Sequence, residues 1–225
     1  MPRTARASAG GYCYHVLNRG NAQTQIFHEP NDYRAFLAMM AEASLRIPMR
    51  IVAYCLMPNH FHLVLWPIAD GDLSRWMHWL LTKHVRRYLQ YHQLTGHIWQ
   101  GRFKAFPIEE DPHLLAVIRY VERNPLRAGL VERAERWPWS SLGCAGHPEN
   151  PAVRLDPGPV PRGGQWAEHV NATLYETEVI RSEEDRIRLC LNRGRPYGHD
   201  QWTETTAKNL GLESSLRNRG RPRKG

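Results

Sequence analysis

The sequence predicts an α+β domain followed by a basic C-terminal extension. Three observations predict this class. Four short segments have the apolar alternation or continuous apolar character of strands, two of them are separated only by a tight turn, and the segments between strands place apolar residues every three or four positions, as helices do. The 225 residues are enough for one domain of moderate size with its own core and an appendage.

The strands and helices follow one another along the first 125 residues. Strands are predicted at residues 12–18, 50–57, 60–66 and 104–109, with the tight turn at Pro58-Asn59. Helices are predicted at residues 30–47, at residues 71–95, and from Asp111-Pro112, where a capping carboxylate precedes a proline in the first helical position. Pro125 disfavours helix beyond Asn124.

The charge and cysteine content point to a cytosolic protein with a polyanionic partner. Thirty Lys and Arg residues against 22 Asp and Glu residues give a net charge of +8, so nucleic acid is the first candidate. No apolar run is long enough to span a bilayer, and the N-terminus lacks the apolar core of a signal peptide. The four cysteines are scattered, which favours reduced thiols, with Cys13 and Cys55 buried in strands.

His60 and His62 share one face of the predicted third strand, because side chains alternate between the faces of a strand. Phe61, Leu63 and Leu65 point the other way, so the strand has an apolar side and a histidine side. The Cα atoms of His60 and His62 would lie roughly 7 Å apart, close enough for both imidazoles to reach one metal ion. Either histidine alone is usually a structural residue; the pair favours a metal site that needs a third ligand from elsewhere.

The second predicted helix carries a basic and aromatic stripe opposite its apolar one. Its members are Arg75, Trp79, Lys83, Arg86 and Gln90. This pattern is typical either of a solvated helix face or of a track for phosphates and stacked bases. Arg102 and Lys104 alternate with Phe103 beside the fourth strand, and with Arg19 after the first strand they complete the predicted DNA-binding set of the core domain.

Tyr120 and Asn124 lie one turn apart in the third helix, so the phenol and the amide can project together. Taken alone, each is more often a packing or helix-end residue. With His60 and His62 they form a coherent site in which a divalent ion is held by the two histidines and Asn124, and Tyr120 attacks phosphorus.

These residues resemble those of the HUH single-strand endonucleases, and more narrowly the tyrosine transposases of the IS200/IS605 type and their REP-associated relatives. The resemblance rests on His60-Phe-His62 within Met57-Pro-Asn-His-Phe-His-Leu-Val64, and on four further stretches: Tyr14-His-Val-Leu-Asn-Arg-Gly-Asn21, Trp99-Gln-Gly-Arg-Phe103, Tyr120-Val-Glu-Arg-Asn-Pro125 and Trp137-Pro-Trp-Ser-Ser141.

The resemblance implies a ferredoxin-like, RRM-like domain, an antiparallel sheet backed by helices, with Mg²⁺ or Mn²⁺ as cofactor. It implies that His60 and His62 are metal ligands, that Tyr120 is the nucleophile, and that Asn124 offers a further polar ligand. The expected partners are single-stranded and hairpin DNA, with the protein acting as a monomer or a homodimer, at no membrane, in the bacterial cytoplasm and associated with the nucleoid.

Three segments are predicted. Residues 1–145 form the catalytic domain, residues 146–164 a Pro- and Gly-rich linker, and residues 165–225 a basic, partly helical DNA-binding extension. The extension contains Arg-Gly-Arg-Pro twice, at residues 193–196 and 219–222, which is similar to the core of an AT-hook; Arg219 and Arg221 are therefore predicted to bind DNA. The alternative for the terminal copy is a basic tail that binds by charge alone.

The sequence thus favours a metal-dependent single-strand DNA endonuclease and strand transferase that forms a 5′-phosphotyrosine at hairpin DNA of the REP type. Two alternatives stay open: a metal-dependent nuclease in which His60 and His62 activate water, and a hairpin-binding regulator that does not cleave.

Overall fold

The computed structural model describes residues 8–172 and 178–217. Four strands form one antiparallel sheet: β1 (Cys13–Arg19), β2 (Met49–Met57), β3 (His60–Pro67) and β4 (Lys104–Ile108). Their order across the sheet is β2-β3-β1-β4. With one helix between β1 and β2 and another between β3 and β4, this is the ferredoxin-like arrangement, and the predicted α+β class is confirmed.

The three predicted helices lie close to their predicted positions, as α1 (Pro30–Arg46), α2 (Asp72–Tyr91) and α3 (Pro112–Glu122). They are followed by α4 (Asn124–Arg127), α5 (Trp166–Asn171), α6 (Glu178–Arg193) and α7 (Asp200–Asn209). The predicted end of α2 at residue 95 is wrong: the helix ends at Tyr91, because Gln93 and Gly96 adopt left-handed backbone conformations. Helix α3 ends at Glu122 and does not continue through Pro125; the proline occupies the first turn of the separate short helix α4, where a proline needs no N–H partner.

Helices cover both faces of the sheet. Phe61, Leu63 and Leu65 of β3 pack with α1 and α2 in one hydrophobic cluster, whereas Val64 packs with α3 and α6 in another. The alternation of side chains along β3 is as predicted. The histidine side is not left open to solvent, however, because α3 returns across it after β4. Cys13 and Cys55 lie buried in β1 and β2, as predicted.

Both edge strands of the sheet are covered by later parts of the chain. The outer edge of β2 accepts two short pairings, Cys55 with Ser140 and Ile51 with Leu155, and the outer edge of β4 pairs with Tyr197. Residues within the predicted linker therefore lie against β2. Covering an edge in this way removes unpaired backbone groups that would otherwise pair with another chain. None of the described helices is long and apolar enough to cross a membrane.

Candidate active site

A pocket of about 520 Å³ opens at the end of the sheet where β1 and β3 meet the last turns of α3 and α6. Five cationic side chains line it: Arg19, Arg102, Lys104, Arg127 and Arg188. Among the described residues that line the pocket, none is acidic. A concave, positively charged surface of this kind attracts phosphate groups.

The two histidines of β3 face this pocket together. His62 is buried, His60 is half-buried, and their ring centroids lie 5.0 Å apart. The Nδ1 atom of His60 is 2.6 Å from the side-chain oxygen of Asn59, which is in the turn that joins β2 to β3. This contact leaves Nε2 as the remaining ring nitrogen of His60.

A third histidine, His15, lies beside them and was missed by the sequence reasoning. It is fully buried in β1, and its Nε2 atom is 2.9 Å from Nδ1 of His62, with the two rings stacked at 6°. The antiparallel register of β1 and β3, which pairs His15 with Val64, brings the two rings together. Because this contact engages Nδ1, Nε2 is also the remaining nitrogen of His62.

Tyr120 reaches the histidines from α3, on the same face of the sheet. Its ring centroid is 5.6 Å from that of His62 and 6.0 Å from that of His15, both edge-on. The Cζ atom of Arg127 lies 4.8 Å from the centroid of the Tyr120 ring. The structure thus brings together the phenol, three imidazoles and a guanidinium.

Asn124 also lines the pocket, but both ends of its amide have partners. Its Nδ2 atom donates to the backbone oxygen of Tyr120 at 2.9 Å, and its Oδ1 atom accepts from Arg127 at 2.8 Å. An amide oxygen has two lone pairs, so one remains after the bond from Arg127.

Burial and neighbouring cations keep the imidazoles neutral. Burial, with the charges of Arg19 and Arg127, lowers the pKa of His60 to about 4. Burial lowers the pKa of His15 to about 3, and burial together with His60 and His15 holds the pKa of His62 well below its usual range. Neutral imidazole is the form that binds metal ions, so the donor set fits a divalent cation.

The charge of Arg127 is favoured by its surroundings. Burial opposes it, but Tyr120 and Glu184 outweigh burial and raise the pKa of this guanidinium. Glu184 belongs to α6 and accepts a hydrogen bond from Arg127 at 2.9 Å. A fixed positive charge therefore lies over the Tyr120 ring, where cation–π attraction favours it.

Helix α3 is anchored by a buried carboxylate on its other side. Glu122 accepts a hydrogen bond from the Ser141 hydroxyl and another from the Trp166 indole, each at 2.6 Å. Arg162 lies 3.6 Å from the same carboxylate. Burial raises the pKa of Glu122 despite these partners. Arg162 and Trp166, which follow the predicted catalytic domain, thus help to hold the helix that presents Tyr120.

Helix α6 forms part of the pocket wall, which the sequence reasoning did not anticipate. Arg188, Leu191 and Asn192 line the pocket, and the Lys104 ammonium donates to the Asn192 side chain at 2.9 Å. Arg188 follows Tyr120 by 68 positions in the sequence, so no local pattern could have indicated that they meet.

The predicted DNA-binding residues fall into three groups. Arg19, Arg102 and Lys104 line the pocket. The stripe of α2 lies on the other side of the sheet, where Arg75 pairs with Asp72 and Lys83 pairs with Glu42.

Within that stripe, the Trp79 ring packs partly buried against the core and lies between the cationic groups of Arg46 and Lys83, at 5.2 and 4.9 Å from its centroid. Arg86 is exposed. Arg219 and Arg221 lie outside the described residues.

Comparison with known proteins agrees with the fold and with the family resemblance. The family model described as IS200-like transposase matches residues 9–124, more than half of the chain. The chain therefore belongs to the IS200-like tyrosine transposases, DNA-cleaving enzymes of the HUH type, and the predicted resemblance is confirmed.

Two curated relatives lie within the REP-associated group. The REP-associated tyrosine transposase of Escherichia coli K12 is 24% identical over 136 residues, which span 59% of this chain and 77% of the relative. A Haemophilus influenzae protein provisionally assigned to the same group is 27% identical over 144 residues, spanning 59% of this chain and 80% of the relative.

A solved structure has the same fold. It is a REP-associated tyrosine transposase bound to a REP hairpin, with a TM-score of 0.51 and 21% identity, and the match covers 69% of this chain and 94% of that one.

Proposed function

We propose that this protein is a metal-dependent single-strand endonuclease and strand transferase in which Tyr120 attacks a phosphodiester of hairpin-forming, REP-like DNA. The observation that carries the proposal is the position of Tyr120, whose ring lies 5.6 Å from His62 in a pocket lined by five cations. The hairpin substrate is proposed because the solved relative with this fold is bound to a REP hairpin.

His60 and His62 would hold Mg²⁺ or Mn²⁺, with Asn124 as a third ligand. In support, both imidazoles are neutral and each has its Nδ1 atom engaged by a neighbour, which leaves Nε2 for a metal ion. A bound divalent ion supplies polarisation of a phosphodiester oxygen.

Tyr120 supplies the nucleophilic oxygen. The phenolic proton leaves to solvent, the oxygen forms a bond to phosphorus, and the 3′-oxygen of the neighbouring nucleotide leaves and is protonated by water. The products are a 5′-phosphotyrosine and a free 3′-hydroxyl, so the bond energy is kept for rejoining. Arg127 favours the negative charge that develops on the phenol, since its guanidinium lies over the ring.

His15 positions His62. The Nδ1–H of His62 would donate to Nε2 of His15, which leaves the lone pair on Nε2 of His62 for the metal and holds the ring in place, as partners of metal-bound histidines commonly do. The stacked, fully buried arrangement of the two rings supports this role.

Arg19, Arg102 and Lys104 would bind the DNA backbone next to the cleaved bond, because they line the same pocket as Tyr120. The stripe of Arg75, Trp79, Lys83 and Arg86 is proposed as a weaker, separate contact, since much of its charge is already paired within the protein. Arg219 and Arg221 would add contacts from the C-terminal end of the chain.

The division into a catalytic domain (1–145), a linker (146–164) and a DNA-binding extension (165–225) is likewise a proposal. We propose that the extension serves both DNA binding and the shape of the active site, because α6 lines the pocket. The protein would act on DNA in the bacterial cytoplasm, associated with the nucleoid, as a monomer or a homodimer.

The test is cleavage of a labelled single strand that contains a hairpin, with Mn²⁺ or Mg²⁺, analysed by denaturing electrophoresis. The expected result is a cleaved strand together with a labelled species at the mass of the protein, both absent in Tyr120→Phe and without a divalent ion. Cleavage that persists in Tyr120→Phe with no adduct would instead indicate hydrolysis by water. Retarded migration on native gels without cleavage, across several hairpins and metals, would indicate a binding regulator.

A further inference from the structure

A second cluster of metal-ligating side chains lies at the opposite end of β4 and α3 from the tyrosine pocket. It consists of Glu109, Asp111, His113 and His199, each of which offers one ligand atom, all within 4.8 Å of one another. Along β4, Lys104 lies in the tyrosine pocket, and five residues of extended strand span roughly 16 Å. The cluster is therefore separate from His60, His62 and Tyr120.

Three separate parts of the chain meet at this cluster. Glu109 follows β4, Asp111 and His113 form the start of α3, and His199 precedes α7. The Nδ1 atom of His199 lies 3.1 Å from Oε2 of Glu109 and 3.2 Å from Oδ2 of Asp111. The Nδ1 atom of His113 lies 2.9 and 3.1 Å from the two carboxylate oxygens of Asp111. Both imidazoles thus direct Nδ1 towards the Asp111 carboxylate, and His199 also contacts Glu109.

The backbone is shaped to allow this approach. The N–H of His199 donates to Oε2 of Glu109 at 2.8 Å. A Cβ atom at the preceding Gly198 would lie 2.4 Å from that same oxygen and 2.7 Å from the Trp202 ring, so only glycine fits there. The carboxylate and the loop before α7 are therefore packed to a distance that tolerates no side chain between them.

We propose that Glu109, Asp111, His113 and His199 bind a divalent transition-metal ion of the zinc class. Two imidazole nitrogens and two carboxylate oxygens are a complete four-coordinate donor set for Zn²⁺, with bonds of about 2.0–2.2 Å, whereas Mg²⁺ favours oxygen ligands and retained water. The two carboxylates supply negative charge that one divalent ion neutralises. The ligand atoms lie within 4.8 Å of one another, and the His199 side chain, 68% exposed, has room to move towards a bound ion.

The bound ion would fasten the C-terminal segment to the catalytic fold. Tyr197, two residues before His199, exchanges backbone hydrogen bonds with Pro107 and Glu109 at the edge of β4. Helix α6 ends at Arg193, just before this segment, and its last turns line the tyrosine pocket. A metal ion at His199 would therefore fix the wall that α6 contributes to the pocket.

The test uses the full chain with His60→Ala and His62→Ala, so that the tyrosine pocket does not contribute to the number of metal ions bound per protein. Metal-free protein is titrated with Co²⁺, whose visible absorption reports four-coordinate binding, and with Zn²⁺ by calorimetry and thermal unfolding. The expected result is one equivalent bound with a rise in melting temperature. Adding His199→Ala, or separately Glu109→Gln, is expected to weaken binding at least about tenfold.

The matched control adds His78→Ala and His97→Ala, two exposed histidines away from the cluster, to the same background. This control loses two further imidazoles, as many as His60→Ala with His62→Ala removes. It is expected to bind the metal ion as tightly as the protein that carries only His60→Ala and His62→Ala. The proposal is overturned if the background protein binds no equivalent of Co²⁺ or Zn²⁺, or if His199→Ala and Glu109→Gln bind as tightly as the control.

Discussion

Two histidine clusters lie at opposite ends of β4 and α3, and they differ in the charges beside them. In the tyrosine pocket, Arg19 and Arg127 lie near His60 and His62, and no acidic residue is found among the described residues that line the pocket. In the second cluster, His113 and His199 face two carboxylates. The same residue type therefore serves different chemistry in one fold, because the neighbouring charges decide what each site attracts.

The difference follows from what each site must hold. A site that binds a phosphodiester beside a metal ion needs net positive charge and open positions, which the cationic pocket supplies. A site that holds a metal ion permanently needs a closed set of ligands that neutralises the ion. Helix α3 contributes to both sites, with His113 near its start and Tyr120 about two turns later.

Removing both histidines of β3 should give the largest effect. His60→Ala with His62→Ala is expected to lower the rate of metal-dependent cleavage on the order of 10³-fold, because metal-ion stabilisation is worth several kcal/mol of the barrier. The rate is measured on a labelled hairpin strand under single-turnover conditions. His78→Ala with His97→Ala is the control. An equal loss of cleavage rate in that protein would contradict a specific role of His60 and His62 in metal-dependent cleavage.

Glu122→Ala should destabilise the fold by about 2–4 kcal/mol, since it leaves the Trp166 indole without its acceptor and Arg162 without its carboxylate, and leaves the Ser141 hydroxyl only the longer contact to the Tyr54 backbone oxygen at 3.2 Å. The free energy of unfolding from urea titration measures the loss. A change within 0.5 kcal/mol, taken as roughly the size of a surface substitution, would contradict the anchoring role.

The Glu122 carboxyl should also make the free energy of unfolding depend on pH. Burial raises the pKa of Glu122 in the folded protein above its ordinary value of 4.5, so the folded state holds the proton more tightly than the unfolded state. This group therefore contributes stability at low pH that is lost as the pH rises from about 4.5 through the folded-state pKa. The difference in unfolding free energy between the parent protein and Glu122→Gln should follow that slope; a difference independent of pH would contradict it.

A change at His15 tests whether this residue supports metal binding by His62 in the tyrosine pocket. His15→Phe keeps a ring in the buried position but removes the nitrogen that contacts His62, and is expected to weaken Mn²⁺ binding roughly 10–100-fold. Electron paramagnetic resonance of free Mn²⁺ measures the affinity without requiring cleavage. His15→Gln, which can still offer a hydrogen bond, should recover part of it. Unchanged Mn²⁺ affinity in a folded His15→Phe protein would leave His15 with a packing role alone.

The smallest effect is expected from single regions of basic surface. Arg102→Ala with Lys104→Ala should weaken binding of the hairpin strand roughly tenfold and reduce its salt dependence, as loss of two phosphate contacts does. Arg75→Ala with Arg86→Ala on α2 should weaken binding less. Fluorescence anisotropy at several salt concentrations compares the two pairs, and the reverse order would place the DNA along α2 rather than at the tyrosine pocket.

Local patterns in the sequence were enough to predict most of the core fold. The alternation along β3, the Pro58-Asn59 turn and the Asp111-Pro112 helix start all act over a few residues, so they can be recognised without knowing the tertiary structure. The same patterns placed His60 and His62 on one face and Tyr120 near Asn124, although Asn124 begins α4 and does not continue α3. The chemistry of these residues suggested a single site, and the family resemblance supported it.

The contacts between distant segments could not be predicted in this way. His15 meets His62 only because of the register of β1 against β3, and Arg188 reaches the pocket only because α6 packs beside β4. His199 joins Glu109 across 90 residues of sequence. Such contacts depend on how the elements pack, and one sequence without its fold does not specify them.

The most direct test of Tyr120 as the nucleophile is to identify the residue that becomes covalently attached to DNA. The protein is incubated with Mn²⁺ and a hairpin-containing single strand, digested with protease and nuclease, and the nucleotide-linked peptide is sequenced by mass spectrometry. We expect a 5′-phosphonucleotide on Tyr120, in the peptide that begins after Arg119. A nucleotide attached to another tyrosine, or complete cleavage with no modified peptide, would contradict it.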